Sequence, residues 1–93
     1  MSARASFRVH ITSKNKTEAA SDVRDVLEEG GLSRSIAKAL HMRVGGGTAR
    51  SVGMPGYKNY VVTISGRAHR AAPAGLAKSQ VEEAKQAWER VWR

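Results

Sequence analysis

The sequence predicts an α+β fold: a small three-stranded antiparallel sheet with two to three helices packed on one face, in the order strand, helix, helix, strand, strand, helix. Three observations lead there. Residues 6–12, Ser-Phe-Arg-Val-His-Ile-Thr, alternate apolar and polar with a period of two. Residues 58–65 repeat that alternation and are rich in β-branched side chains. Two other stretches, 17–29 and 79–92, space their apolar residues three and four apart, as helices with one buried stripe do.

In the first strand, Phe7, Val9 and Ile11 point one way and Arg8, His10 and Thr12 the other. Ser13-Lys14-Asn15-Lys16 breaks the pattern. Thr17 reads as the N-cap of the first helix, whose early acids suit its positive end. Ala19, Ala20, Val23, Val26 and Leu27 share its inner face, and Gly30-Gly31 ends it. Ser33 then caps a shorter helix that turns Ile36, Ala37 and Leu40 inward and Arg34, Lys38 and Arg43 outward.

Val44-Gly45-Gly46-Gly47-Thr48 is too flexible for helix and reads as a mobile connection within a glycine-rich hairpin region, 44–56. Met54-Pro55-Gly56-Tyr57 has proline second and glycine third, as a type II turn requires. Thr48–Gly53 and Lys58–Ser65 flank it as the arms of a hairpin. Residues 66–78 form a basic, alanine-rich connection. Ser79-Gln80-Val81-Glu82 is a capping-box pattern, followed by a stripe of Val81, Ala84, Trp88, Val91 and Trp92 that reads as core.

The chain has 93 residues, a length that reads as a single domain, 1–93. It has no cysteine, which excludes disulfides and thiolate chemistry and fits a reducing compartment. The N-terminus lacks the apolar run of a secretory signal, and no stretch reaches the roughly 20 apolar residues of a membrane span. A soluble cytoplasmic protein that engages no membrane is expected.

Net charge is +8, and its distribution is uneven. From Gly30 to Val81 there is no acidic residue, while Arg34, Lys38, Arg43, Arg50, Lys58, Arg67, Arg70 and Lys78 all fall there. Five acids crowd into residues 18–29. Cations without internal neutralisation attract phosphates.

Catalytic patterns are missing. His10, His41 and His69 stand about thirty residues apart, none with a second histidine or an acid at metal-ligand spacing. No glycine run leads into a Lys-Ser/Thr pair, and Gly45-Gly46-Gly47 precedes no helix. The expectation is a protein that is not an enzyme and uses neither metal nor cofactor. Lone histidines beside basic clusters read as solvated surface groups.

Phosphate contacts need cations that track a backbone rather than fixed spacing. Arg34 and Lys38 are helix neighbours; Arg50, Lys58 and Arg67 lie on or near the hairpin; Lys14 and Lys16 follow the first strand. With Arg43 and Arg70 these are expected to form one patch, if the second helix and the hairpin pack side by side. Tyr57, at the turn beside Lys58, is the candidate for stacking a base; Tyr60 shares the phase of Val62 and Ile64 and reads as core.

The element order resembles the eukaryotic-type KH domain of RNA-binding proteins. Tyr60-Val-Val-Thr-Ile-Ser-Gly66 and Val81-Glu-Glu-Ala-Lys-Gln-Ala-Trp88 look like that family's last strand and last helix. The likeness covers about a third of the chain and implies RNA binding. The family's Gly-x-x-Gly loop is not matched: its place is taken by Glu28-Glu29-Gly30-Gly31-Leu32-Ser33, and the literal Gly53-Met-Pro-Gly56 sits in the hairpin. The final helix is also similar to that of double-stranded-RNA-binding domains. Gly31–Leu40 resembles the middle helix of winged-helix DNA binders, with no recognition helix after it.

The function expected from these features is nucleic-acid binding, RNA rather than DNA, by phosphate-directed contacts from a basic face. The alternative is a small regulator or inhibitor, of phage or plasmid type, that docks on an acidic protein surface or a nucleoprotein machine. A homodimer through the C-terminal helix is a further expectation.

Overall fold

The computed structural model describes residues 3–49, 53–68 and 78–92. Six elements follow in chain order: β1 (Ala3–Ser13), α1 (Lys16–Glu29), α2 (Arg34–Ala39), β2 (His41–Thr48), β3 (Lys58–Ala68) and α3 (Lys78–Val91). The strands make one antiparallel sheet in the order β1-β3-β2, so the fold is α+β with the element order read from the sequence.

Register explains how the sheet acquires one apolar face. Phe7 pairs with Ile64 and Ile64 with Met42; Val9 pairs with Val62 and Val62 with Val44; Ile11 pairs with Tyr60. Because successive side chains alternate between faces, these rows stack on one side. Val9, Tyr60, Val62 and Ile64 are buried there under Ala19, Val23 and Leu27 of α1 and Val81, Ala84 and Ala87 of α3. Ser13 closes this face at 2% exposure, its hydroxyl donating a 2.8 Å hydrogen bond to Asp22 Oδ2 on α1.

Asn15, not Thr17, caps α1. Its backbone is extended, and its side-chain oxygen accepts from the Glu18 amide at 2.9 Å. The helix starts two residues earlier because Asn15 offers a better acceptor directly after the strand. Gly30 ends α1 and is buried against α3, with no room for a side chain. Ser33 caps α2 as the sequence indicates, accepting from the Ile36 amide at 3.3 Å.

The second strand departs most from the sequence reading. β2 runs from His41 to Thr48 and therefore contains Gly45-Gly46-Gly47, rather than spanning Thr48–Gly53. Glycine is a weak strand former alone, but here the run lies along a paired β3 whose β-branched residues supply the hydrogen-bonding template. A bulge between Gly46 and Thr48 absorbs one residue. Gly47 adopts φ +117 there, a backbone that favours glycine. The turn at 54–57 forms as expected: Tyr57 donates its amide to the Met54 carbonyl at 3.2 Å, and Gly56 has φ +82.

α3 already includes Ser79 in its first turn, so that residue does not cap it. The inner face of α3 is small (Val81, Ala84, Ala87), which lets it approach closely; Trp88 packs half-buried at the core's edge. Trp92 is 64% exposed and does not join the core, contrary to the stripe read from the sequence. The helix ends at Val91, and Trp92 follows it as a turn residue. No helix among the described residues is long and apolar enough to cross a membrane.

Candidate functional site

Both helices that pack on the sheet lie on one side of it, so the opposite face meets no described element. Its composition follows from the other phase of the same alternation. Ser6, Arg8, His10 and Thr12 are exposed along β1, and His41, Arg43 and Gly45 along β2. Between them the central strand presents Asn59, Val61, Thr63 and Ser65, each half-buried by its neighbours.

The register arranges these residues in rows across the sheet. Ser6 and His41 flank Ser65; Arg8 and Arg43 flank Thr63; His10 and Gly45 flank Val61. Thr12 is opposite Asn59 and donates a 2.7 Å hydrogen bond to its Oδ1. Flanking positions are about 10 Å apart and successive rows about 7 Å apart, from the spacings of a β-sheet. Arg4 and Arg67 are paired in the backbone register beyond Ser6 and Ser65. The result is a shallow track floored by small side chains and walled by arginine and histidine.

No acid belongs to this face. All eight acids of the chain lie in two helices: Glu18, Asp22, Asp25, Glu28 and Glu29 in α1, and Glu82, Glu83 and Glu89 in α3. α1 sets its five against Lys16 and Arg24, whereas α3 balances its three with Lys78, Lys85 and Arg90. The acids are therefore confined to the helices, whose own cations nearly match them, and the open strand face carries arginine without a carboxylate. Potentials on a face of one sign add, and they decay over about 8–10 Å at physiological salt.

The residues singled out from the sequence fall into separate places. Lys14, Tyr57 and Lys58 come together at the end of the sheet where β1 leaves and β3 enters, and Lys16 opens α1 two residues after Lys14. Ser13 pairs with Lys58 there, and the Lys14 ammonium stands 5.7 Å from the centroid of the Tyr57 ring. That cation–π contact covers one side of the half-buried ring. Arg43 lies on the open face. Arg34 and Lys38 are exposed on α2, which leads into the His41–Ser65 row at the other end of the sheet. That row is seven residues from Lys58, about 23 Å. The α2 cations and Lys58 therefore lie toward opposite ends of the sheet. Arg67 belongs to β3; Arg50 and Arg70 lie outside the described residues.

Arg8, His10 and His41 were not among the candidates drawn from the sequence, although the alternation of β1 already set Arg8 and His10 apart from Phe7, Val9 and Ile11. His41 has no such signal, because the glycines that follow it mask the strand that carries it.

The junction between α1 and α2 has a structural use. A Cβ at Gly30 would meet the backbone of Ala87, and the Gly30 carbonyl accepts a 2.8 Å hydrogen bond from Arg90 Nη1. This segment packs against α3 instead of standing free as a backbone clamp. Among the described residues no group of three or more His, Asp or Glu side chains is placed to hold a metal ion. No protein-family model matches the chain, and no curated protein or solved structure matches it either.

Proposed function

We propose that the protein binds nucleic acid along the open face of its sheet, unpaired RNA in preference to DNA duplex. The observation that carries this reading is the track of Arg8, His10, His41 and Arg43 on a face without a single carboxylate, while every acid lies in the helices behind it. Arginine favours phosphate through its planar, many-donor guanidinium. The track lies on a surface three strands wide, whereas the major groove of a duplex admits one helix or a two-stranded ribbon. A flexible single strand can lie along such a surface; a rigid duplex touches it at fewer points.

The resemblance to KH domains supports RNA through element order. With the α1–α2 junction packed on α3, the sheet rather than that junction is the contact surface of this reading. Lys14 and Lys58 extend the cationic track at one end, where a strand leaving the sheet would pass them.

Anisotropy of a labelled, unstructured oligoribonucleotide at about 50 and about 200 mM salt tests the proposal. Affinity should fall with a log–log slope of about −0.7 for each phosphate neutralised. Arg8→Gln and Arg43→Gln should each lower affinity about tenfold and flatten that slope, with circular dichroism unchanged. Undiminished binding by the double variant removes the open face as the site. A protein partner that survives nuclease treatment in a pulldown would favour docking on an acidic protein surface instead.

A further inference from the structure

We propose that the open face also receives one unstacked nucleobase, in the gap at Gly45, over Val61 and beside His10. This inference rests on the reading of that face as an RNA-binding surface and adds to it a contact with a base.

Gly45 has no structural reason to be glycine. Gly46 and Gly47 adopt φ +82 and +117, which favour it, but Gly45 is not among the positive-φ residues. A Cβ built there meets nothing within 4 Å. Any β-branched side chain would suit an exposed strand position better than glycine. The missing side chain instead leaves a recess in the wall of the track, open at the edge strand.

The surroundings of that recess match what a base needs. Val61 is a half-buried apolar floor, and His10, directly across it, presents an exposed imidazole. Histidine is one of the side chains on which unpaired bases stack. One row along, about 7 Å away, Arg8 and Arg43 are placed for the flanking phosphates. On the other side Thr12, its hydroxyl donated to Asn59 Oδ1, bounds the recess. In the other described rows from Ser6 to Thr12 a side chain stands on both walls, so Gly45 marks the one place in those rows where a base has lateral room.

The test compares a single-stranded oligoribonucleotide with inorganic polyphosphate, which offers charge and no bases. Gly45→Val should fold with an unchanged or higher melting temperature, bind the RNA roughly tenfold more weakly, and bind polyphosphate as the parent does. His10→Ala should weaken RNA binding more than polyphosphate binding, and His10→Phe should restore RNA binding, because stacking and not charge is required. An equal loss for RNA and polyphosphate in either variant, or no loss for either ligand, overturns the base site and leaves the phosphate track standing. If the parent protein binds neither ligand, the reading of the face falls as well. Should Gly45→Val fail to fold, the two His10 variants still decide.

Discussion

Arg90 Nη1 donates a 2.8 Å hydrogen bond to the carbonyl oxygen of Gly30, a residue sixty positions away in the chain. That carbonyl belongs to the C-cap of α1, whose last turn contains no basic residue and ends in Glu28 and Glu29. A helix C-terminus carries partial negative charge and favours a cation. α3 supplies that cation from outside, so the helix ends are fastened to each other. Arg90→Met should keep the aliphatic packing and lose about 1 kcal/mol, read as a lower urea midpoint. An unchanged midpoint would show that the contact contributes nothing.

Gly30 should tolerate no side chain. Its φ of −74° suits any residue, so the objection is steric alone. An alanine Cβ would stand 2.8 Å from the Ala87 carbonyl carbon and closer still to the oxygen. Gly30→Ala should cost about 2–3 kcal/mol, since α1 and α3 must move apart. Thermal unfolding measures it, and trimming Ala87 to glycine should not rescue the variant, because the obstacle is backbone.

Two glycines of β2 should respond in opposite senses. Gly47→Ala places a Cβ 3.1 Å from Tyr60 Cε1 on a φ of +117, and should destabilise by about 1–3 kcal/mol. Gly45→Ala meets open space and should be neutral or stabilise by a few tenths of a kcal/mol. Equal losses at both positions would mean that the bulge is not where the register puts it.

The Ser13–Asp22 hydrogen bond joins a buried hydroxyl to an exposed carboxylate. Asp22→Ala leaves the Ser13 hydroxyl under the helix without that acceptor and should cost about 1–3 kcal/mol. Ser13→Ala leaves Asp22 in water, and its cost should be smaller, about 0.5–1 kcal/mol. Denaturant titration of both variants gives the order; the reverse order contradicts the burial.

Trp88 and Trp92 stack with ring centroids 5.5 Å apart, but only Trp88 packs on the core. Trp88→Ala should cost about 2–4 kcal/mol, and Trp92→Ala within about 0.5 kcal/mol for the monomer. A loss at Trp92 that grows with protein concentration in light scattering would instead reveal association through α3.

Most of the fold was legible because local chemistry and global packing agreed. Phe7, Val9 and Ile11 alternate in the sequence and lie on one face of the sheet; Ala19, Val23 and Leu27 repeat every four residues and are the residues α1 buries. Ser33 caps the helix that its chemistry suggests. Failures came where tertiary pairing overrides local preference. The glycines at 45–47 carry no strand signal of their own, and only β3 beside them makes them one. The strand placed over residues 48–53 displaces the hairpin and hides His41 and Arg43 as neighbours of Arg8 across Thr63. The charge imbalance was visible in the chain, but the surface it occupies depended on a register that composition does not encode. Trp92 departs from the stripe because the spacing of apolar residues continues one residue beyond the helix, which ends at Val91.

The order of open-face arginines, sheet and α1 carboxylates also gives the described part of the molecule an electric dipole component along the sheet normal. Near any strongly negative polymer it experiences a torque as well as a pull, and it turns its strands toward the polymer before touching. A larger share of collisions then begins in a usable orientation, so dilution of the surrounding electrolyte should speed capture far more than it slows escape.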